Sequence, residues 1–93
     1  MVIAVLQLDI RLFSGRSLKE KRRLLRRLIS RVRQSFNVSV SEIGHQDLWQ
    51  RSELGIALVT SDAKFADKVM NRILQTFQRD RGLSIISSHM ELF

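Results

Sequence analysis

Ser17-Leu-Lys-Glu-Lys-Arg-Arg-Leu-Leu-Arg-Arg-Leu-Ile-Ser-Arg-Val-Arg33 reads as a helix with a marked start and a single apolar side. Ser17 followed three residues later by Glu20 is a capping box, which satisfies backbone N–H groups that a first helical turn leaves without partners. At ~100° per residue, Leu18, Leu24, Leu25, Leu28, Ile29, Val32 and Phe36 gather on one side. Lys19, Arg22, Arg23, Arg26, Arg27, Arg31 and Arg33 spread over the other. A helix apolar on one side only needs a partner surface for that side. Lys21 is the misfit, because it projects within the apolar arc. Two readings are open for it: a first-turn lysine that snorkels past the core, or a cation aimed at the top edge of a sheet.

Working outward, the chain supplies the sheet. Before the helix, Val2, Ala4, Leu6, Leu8, Ile10 and Leu12 alternate with Ile3, Val5, Gln7, Asp9, Arg11 and Phe13. That period of two predicts a long strand with one face fully buried, and Ser14-Gly15-Arg16 supplies the turn. After the helix, Asn37 is expected to close it in a left-handed conformation. Val38 to His45 reads as a less regular second strand in which Gly44 marks a bulge. Gln46 to Ser52 is a polar loop carrying Trp49, the one tryptophan. Glu53 to Thr60 is apolar almost throughout, as a central strand should be. Ser61-Asp62 caps a second helix, whose apolar rows are Phe65, Ala66, Val69, Met70, Ile73, Leu74 and Phe77, and which Gly82 ends. Ser84 to Phe93 is the last strand, with Ile86, Met90 and Leu92 on one face.

The order is therefore βαββαβ. Two helices with single apolar faces, joined by right-handed crossovers, specify an α+β, ferredoxin-like sandwich. Its sheet is four-stranded and antiparallel, in the order 4-1-3-2, with both helices on one face. Residues 1–93 read as a single domain without linker, repeat or low-complexity segment.

Composition narrows the function classes. The chain has 93 residues, 44% of them hydrophobic, which argues against disorder. It has no cysteine, which removes disulfides, thiol catalysis and cysteine-ligated zinc. His45 and His89 alone make a histidine metal site improbable, and no cofactor motif is present. Apolar runs of about five residues fall far short of the ~20 that a membrane-spanning helix needs. With no charged-then-apolar leader at its start, the chain reads as a soluble, cytoplasmic protein. From Arg16 to Arg33, nine basic residues face one acid, for +8. The remainder carries seven basic and eight acidic residues, for −1, which restores the overall +7. Such a local excess points to a polyanionic partner. Arginine outnumbers lysine twelve to four, which suits phosphate and carboxylate recognition.

In this topology the end of strand 1, the start of helix 1, the loop between strands 2 and 3 and the turn after helix 2 share one edge. Arg16, Lys21, His45, Gln46, Asp47, Trp49 and Arg51 meet there as a candidate loop or anion site, with Ser17, Lys19, Gln50 and Arg81 close by. The bland alternative pairs Asp47 with Arg51 and Glu42 with Lys21, while Trp49 closes the hairpin over the core. His45 and Asp47 are not accompanied by a nucleophile motif, an oxyanion hole or a phosphate loop, so no catalytic residue is assigned. RNA recognition by base stacking on strand 3 is excluded, because Glu53 to Thr60 holds no aromatic residue. What remains is backbone recognition by Lys19, Arg22, Arg23, Arg26, Arg27, Arg31 and Arg33, extended by Arg51 and Trp49. On the face without helices, Ile3, Val5, Ala57, Val59 and Ile85 are expected to form an apolar patch suited to a homodimer.

Three stretches carry a family resemblance: Ser17-Leu-Lys-Glu-Lys-Arg-Arg23, Phe36-Asn-Val-Ser-Val40 and His45-Gln-Asp-Leu-Trp-Gln-Arg51. With Leu54-Gly55 and the closing strand, they resemble the YlxP-like family of small bacterial proteins, catalogued as a domain of unknown function. The resemblance runs over essentially the whole chain. It implies a bacterial cytoplasmic protein with a ferredoxin-like fold. It also implies gene neighbours concerned with translation initiation and ribosome maturation, which favours RNA or a ribosomal particle as partner. It carries over no catalytic residue.

The functional expectation is a non-enzymatic RNA- or ribosome-associated protein that contacts phosphates through helix 1. Reversing Arg23, Arg26 and Arg27 to Glu is expected to abolish binding and spare the fold. The alternatives are a protein-interaction module using the 45–51 loop on an acidic partner, and a small anion-binding protein or enzyme at the N-terminus of helix 1.

Overall fold

Alternation in the first strand and one-sided helices build the observed architecture. The structure, a computed structural model, describes residues 1–13 and 16–93. Its elements are β1 (Val2–Leu12), α1 (Leu18–Ser35), β2 (Ser39–Gly44), β3 (Arg51–Thr60), α2 (Ala63–Gln78) and β4 (Leu83–Leu92). The sheet order β2-β3-β1-β4 is the expected 4-1-3-2 read from the other edge, and every pairing is antiparallel. The chain has the ferredoxin-like βαββαβ fold.

One hydrophobic core lies between the sheet and the helices. From β1 it takes Ala4, Leu6, Leu8, Ile10 and Leu12, and from β3 Leu54, Ile56 and Leu58. Helix α1 contributes Leu25, Leu28 and Val32, and α2 contributes Ala66, Val69, Met70, Ile73 and Phe77. The alternate residues of β1 and β3 form the opposite face, so side-chain direction on these strands follows directly from the period of two. Phe65, expected in the apolar row of α2, is exposed, and Leu74 is half-buried at the core's margin.

Three local expectations are corrected. Asn37 does not close α1 in a left-handed conformation; among the described residues only His45 is a non-glycine with positive φ. Instead Phe36 leaves the helix in extended geometry (φ −139°, ψ 144°) while its N–H still donates to the Val32 carbonyl. Phe36 and Val38 both pack against the core, and that packing draws the chain straight into β2. In β4, Ile86 does not share a face with Met90 and Leu92. The register with β1 slips between the Asp9–Ser87 and Ile10–Ile85 pairs, so Ile86 is the extra residue of a bulge and is exposed. The same slip turns Ile85 towards the core, which removes it from the apolar patch on the helix-free face.

Gly44 does mark a bulge, where the β2–β3 register shifts between Glu42 and Gly44. A Cβ there would fall 2.5 Å from Glu53 Oε2 and 3.1 Å from its Cβ, so a larger residue would have to displace the Glu53 side chain. The strands begin and end within two residues of expectation, and Arg51 and Ser52 join β3 rather than the loop. Of the expected Ser14-Gly15-Arg16 turn, Ser14 and Gly15 lie outside the described residues.

Candidate nucleic-acid interface

The α1 sequence places its cations before its packing is considered, because the apolar stripe claims one side and leaves the other to solvent. Lys19, Arg22, Arg23, Arg26, Arg27, Arg31 and Arg33 are all exposed. Lys19, Arg22, Arg23, Arg26, Arg27 and Ser30 line an open groove of about 750 Å³ along the helix. Among the described residues, Lys19, Arg22, Arg23, Arg26 and Arg31 form no ion pair. The spacing also sets like charges four apart, as in Arg22 with Arg26 and Arg23 with Arg27, each costing roughly 0.2–0.5 kcal/mol of helix stability.

Arg27 and Arg33 are partly committed. Arg27 Nη2 donates to Asp80 Oδ2 at 2.8 Å, tying α1 to the turn after α2. Burial would raise the Asp80 carboxyl, but the Arg27 hydrogen bond, the Gly82 N–H and the charges of Arg27 and Arg31 outweigh it and hold it below its ordinary 3.8. A depressed carboxylate contributes stability above its unfolded value and loses it as pH falls through the folded one. Asp80→Asn should therefore cost about 1 kcal/mol at pH 7 and nothing once pH lies well below 3.8, a difference that paired thermal melts at the two pH values would read. Arg33 Nη2 donates to the Val40 carbonyl on edge strand β2.

Lys21 belongs to the core stripe of α1, one turn before Leu25, and is 1% exposed. It does not snorkel. Its Nζ lies 2.8 Å from Glu42 Oε2 and donates to the carbonyls of His45 (2.7 Å) and Leu48 (2.5 Å). A lysine ammonium has three donors, and all three are spent on the protein. The second reading gave its direction, towards the edge of the sheet, but Lys21 is an anchor for the β2–β3 loop and has no donor left for an anion. The expected Glu42–Lys21 pair is present, and Ser52 Oγ, fully buried, donates to the same Glu42 oxygen at 2.7 Å.

The loop that Lys21 holds turns at His45 (φ 59°), whose carbonyl also accepts from the Leu48 N–H. Gln46 and Asp47 are exposed at the turn. No hydrogen bond or ion pair joins His45 to Asp47 among the described residues. Trp49 does not close the hairpin over the core; it is 36% exposed beside the more exposed Leu48. At the N-terminus of α1, Ser17 Oγ accepts from the Glu20 N–H and Glu20 Oε2 accepts from the N–H of Arg16, which precedes the helix, so the capping groups take up part of that end.

Arg51 is the largest displacement from expectation. Ser52 and Leu54 face the core, so alternation turns Arg51 to the helix-free side, where Nη2 donates to both Asp9 oxygens at 2.9 and 3.0 Å. It joins neither the α1 face nor a pair with Asp47. Asp9 is its partner because β1 lies beside β3, with Asp9 opposite Glu53 and Arg11 opposite Arg51.

Residue periodicity missed a second groove, about 670 Å³, between α1 and β2. Leu25, Ile29 and Val40 form its apolar lining, and Arg22, Arg26 and Arg33 supply its cations. Glu42 reaches it from β2. It opens alongside Val40, Ser41 and Glu42 of β2, facing the middle of α1. Among the described residues, no cluster of three or more His, Asp or Glu is arranged to hold a metal ion, and no helix is long and apolar enough to cross a membrane.

Fold and surface together define a small ferredoxin-like protein whose first helix presents an unbalanced cationic face. Residues 3–90 match the family described as "Protein of unknown function (DUF503)", and the chain belongs to that family. It is 49% identical over 63 residues to "Uncharacterized protein YlxP" of Bacillus subtilis (strain 168), a match covering 68% of each chain. Among solved structures it resembles a de novo designed protein with ferredoxin fold, LFR1 1 (TM-score 0.62, 15% identity, 98% of this chain and 86% of that one). It also resembles the de novo designed protein Foldit4 (TM-score 0.55, 18% identity, 98% and 96%). A third likeness is to SnoaB, a cofactor-independent oxygenase from Streptomyces nogalater (TM-score 0.57, 12% identity, 99% and 90%). At these identities the structural likenesses establish the fold alone.

Proposed function

We propose that this chain is a non-enzymatic RNA-binding protein, acting on a structured RNA or a ribosomal particle, that holds phosphates on the exposed face of α1. One observation carries the reading: Lys19, Arg22, Arg23 and Arg26 line one groove, and none of them is ion-paired among the described residues. A merely solvated helix gains from interspersed carboxylates, whereas like charges set four apart repel. Releasing counterions from phosphates converts that repulsion into affinity. The test is binding to a labelled structured RNA over a range of salt, with charge-reversal variants of α1 alongside. A salt-steep affinity that the variants lose supports the reading, and no binding at low salt removes it.

A second reading rests on the loop. Leu48 and Trp49 are exposed on a segment that Lys21 holds in one shape, and a rigid aromatic on a fixed loop suits protein contact. If the loop meets protein, Trp49→Ala should weaken retention of a protein partner from the cell at least tenfold and leave RNA affinity unchanged, as measured by quantitative pull-down and RNA titration on the same preparation.

A further inference from the structure

We infer that the groove between α1 and β2 holds an unpaired nucleobase of the RNA whose phosphates lie along the Arg22–Arg26 row, an inference that rests on the RNA reading above. Arg22, Arg26 and Ser30 line both grooves, so this row is a ridge with the all-basic groove on one flank and the apolar-floored groove on the other. A phosphate gains nothing from Leu25, Ile29 and Val40. A ligand that carries an anion and a flat apolar ring, one beside the other, uses both flanks at once, and a nucleotide is such a ligand. Guanidinium planes add a stacking surface, as they do for splayed-out bases in single-stranded RNA. The volume of about 670 Å³ lies within the ~300–1,000 Å³ of pockets that take compact ligands.

Glu42, the acid in this groove, does not repel the strand. Lys21 neutralises it from within the core at 2.8 Å through Oε2, the oxygen that also accepts from Ser52. Its Oε1 takes part in no hydrogen bond among the described residues and is an acceptor for an exocyclic amino group. An added peptide strand is not the occupant. Strand β2 is six residues long, bulged at its end, and has its Val40 carbonyl capped by Arg33, all features that guard a sheet edge. A fully paired duplex is not the occupant either, since its bases are stacked on one another and closed to the groove.

The test compares three probes by fluorescence anisotropy over a range of salt: oligocytidine of about twelve nucleotides, an abasic strand of the same length and a blunt RNA duplex of about twelve base pairs. Oligocytidine should bind roughly tenfold or more tightly than the other two, the scale of one well-held base. Ile29→Gln, which makes the groove wall polar without changing charge, should erase that preference and leave duplex affinity and its salt slope unchanged. The wild-type comparison decides the matter even if this half-buried substitution perturbs the fold. Equal binding of the three probes would overturn the base site while leaving phosphate binding intact. No binding of any probe would overturn the phosphate reading and this inference with it.

Discussion

Replacing Lys21 with Met should lower the stability of this protein by about 3 kcal/mol, one of the largest effects available to a single substitution here. The size follows from what is left behind. Glu42, with 22% of its side chain exposed, keeps its charge and loses its counter-ion, and the Leu48 carbonyl loses the donor that Lys21 supplied. Stranding one partner of a fully buried pair costs about 3–5 kcal/mol, and the partial exposure of Glu42 places the effect at the lower end. For a domain of this length, ~3 kcal/mol is roughly 12–24 °C in melting temperature. Adding Glu42→Gln should recover part of the loss, because a neutral amide still accepts from Ser52 and no charge remains unpaired. Amides of residues 45–50 should exchange faster in the single variant than elsewhere, since that loop is what the ammonium holds. A cost below about 1 kcal/mol would mean that the lysine is solvated and the network is not formed. Lys21→Met should also weaken RNA binding, because it exposes an unneutralised carboxylate in the α1–β2 groove.

How far the sequence goes depends on what kind of signal each feature leaves. Alternation over Val2–Leu12 and the Ser17/Glu20 capping box are local patterns, repeated or chemically distinctive, and the strand, the helix start and the topology follow from them. The β4 bulge leaves no such trace. One extra residue, Ile86, is as apolar as its neighbours, and only pairing with β1 reveals where the register slips. Helix termination at Phe36 was hidden for a related reason: Asn37 has the right chemistry for a left-handed cap, but tertiary packing of Phe36 and Val38 decides the geometry. The exposed face of α1 was legible because it is simply the complement of the apolar stripe. Lys21 was visible as an anomaly and its pairing with Glu42 as one alternative, but the two loop carbonyls it also binds are set by a fold-level contact between residues more than twenty apart. Arg51 misled because its loop-like neighbourhood concealed that it begins β3, where alternation sends it to the other face. The α1–β2 groove is a property of shape, arising between two elements, and no single residue announces it.

Charge reversal of α1 should abolish RNA binding without unfolding the protein, provided the right arginines are chosen. In the set Arg23, Arg26 and Arg27, Arg27 is better left in place, because Arg27→Glu would remove the 2.8 Å ion pair with Asp80 and put a second negative charge on the side facing that carboxylate. Lys19, Arg23 and Arg26 have no such partner among the described residues, and replacing these three with Glu takes the formal net charge from +7 to +1. The substitution also converts the like-charged neighbours Arg22/Arg26 and Arg23/Arg27 into opposite-charged pairs, so the melting temperature should stay level or rise slightly. Binding should respond in the other direction. If Lys19, Arg22, Arg23, Arg26 and Arg31, which form no ion pair among the described residues, each meet a phosphate, the log–log salt slope of the wild type is roughly −3.5 to −4.5. Raising salt from about 50 to about 200 mM then costs on the order of a hundredfold in affinity. The triple variant should lose more than a hundredfold at about 100 mM salt and, with Arg22 and Arg31 left, flatten the slope to about −1.4 to −1.8. Stability and affinity are thus expected to move apart, which a protein whose cationic face merely stays in solvent has no reason to do. Retained binding with an unchanged slope in a folded triple variant would remove α1 from the interface.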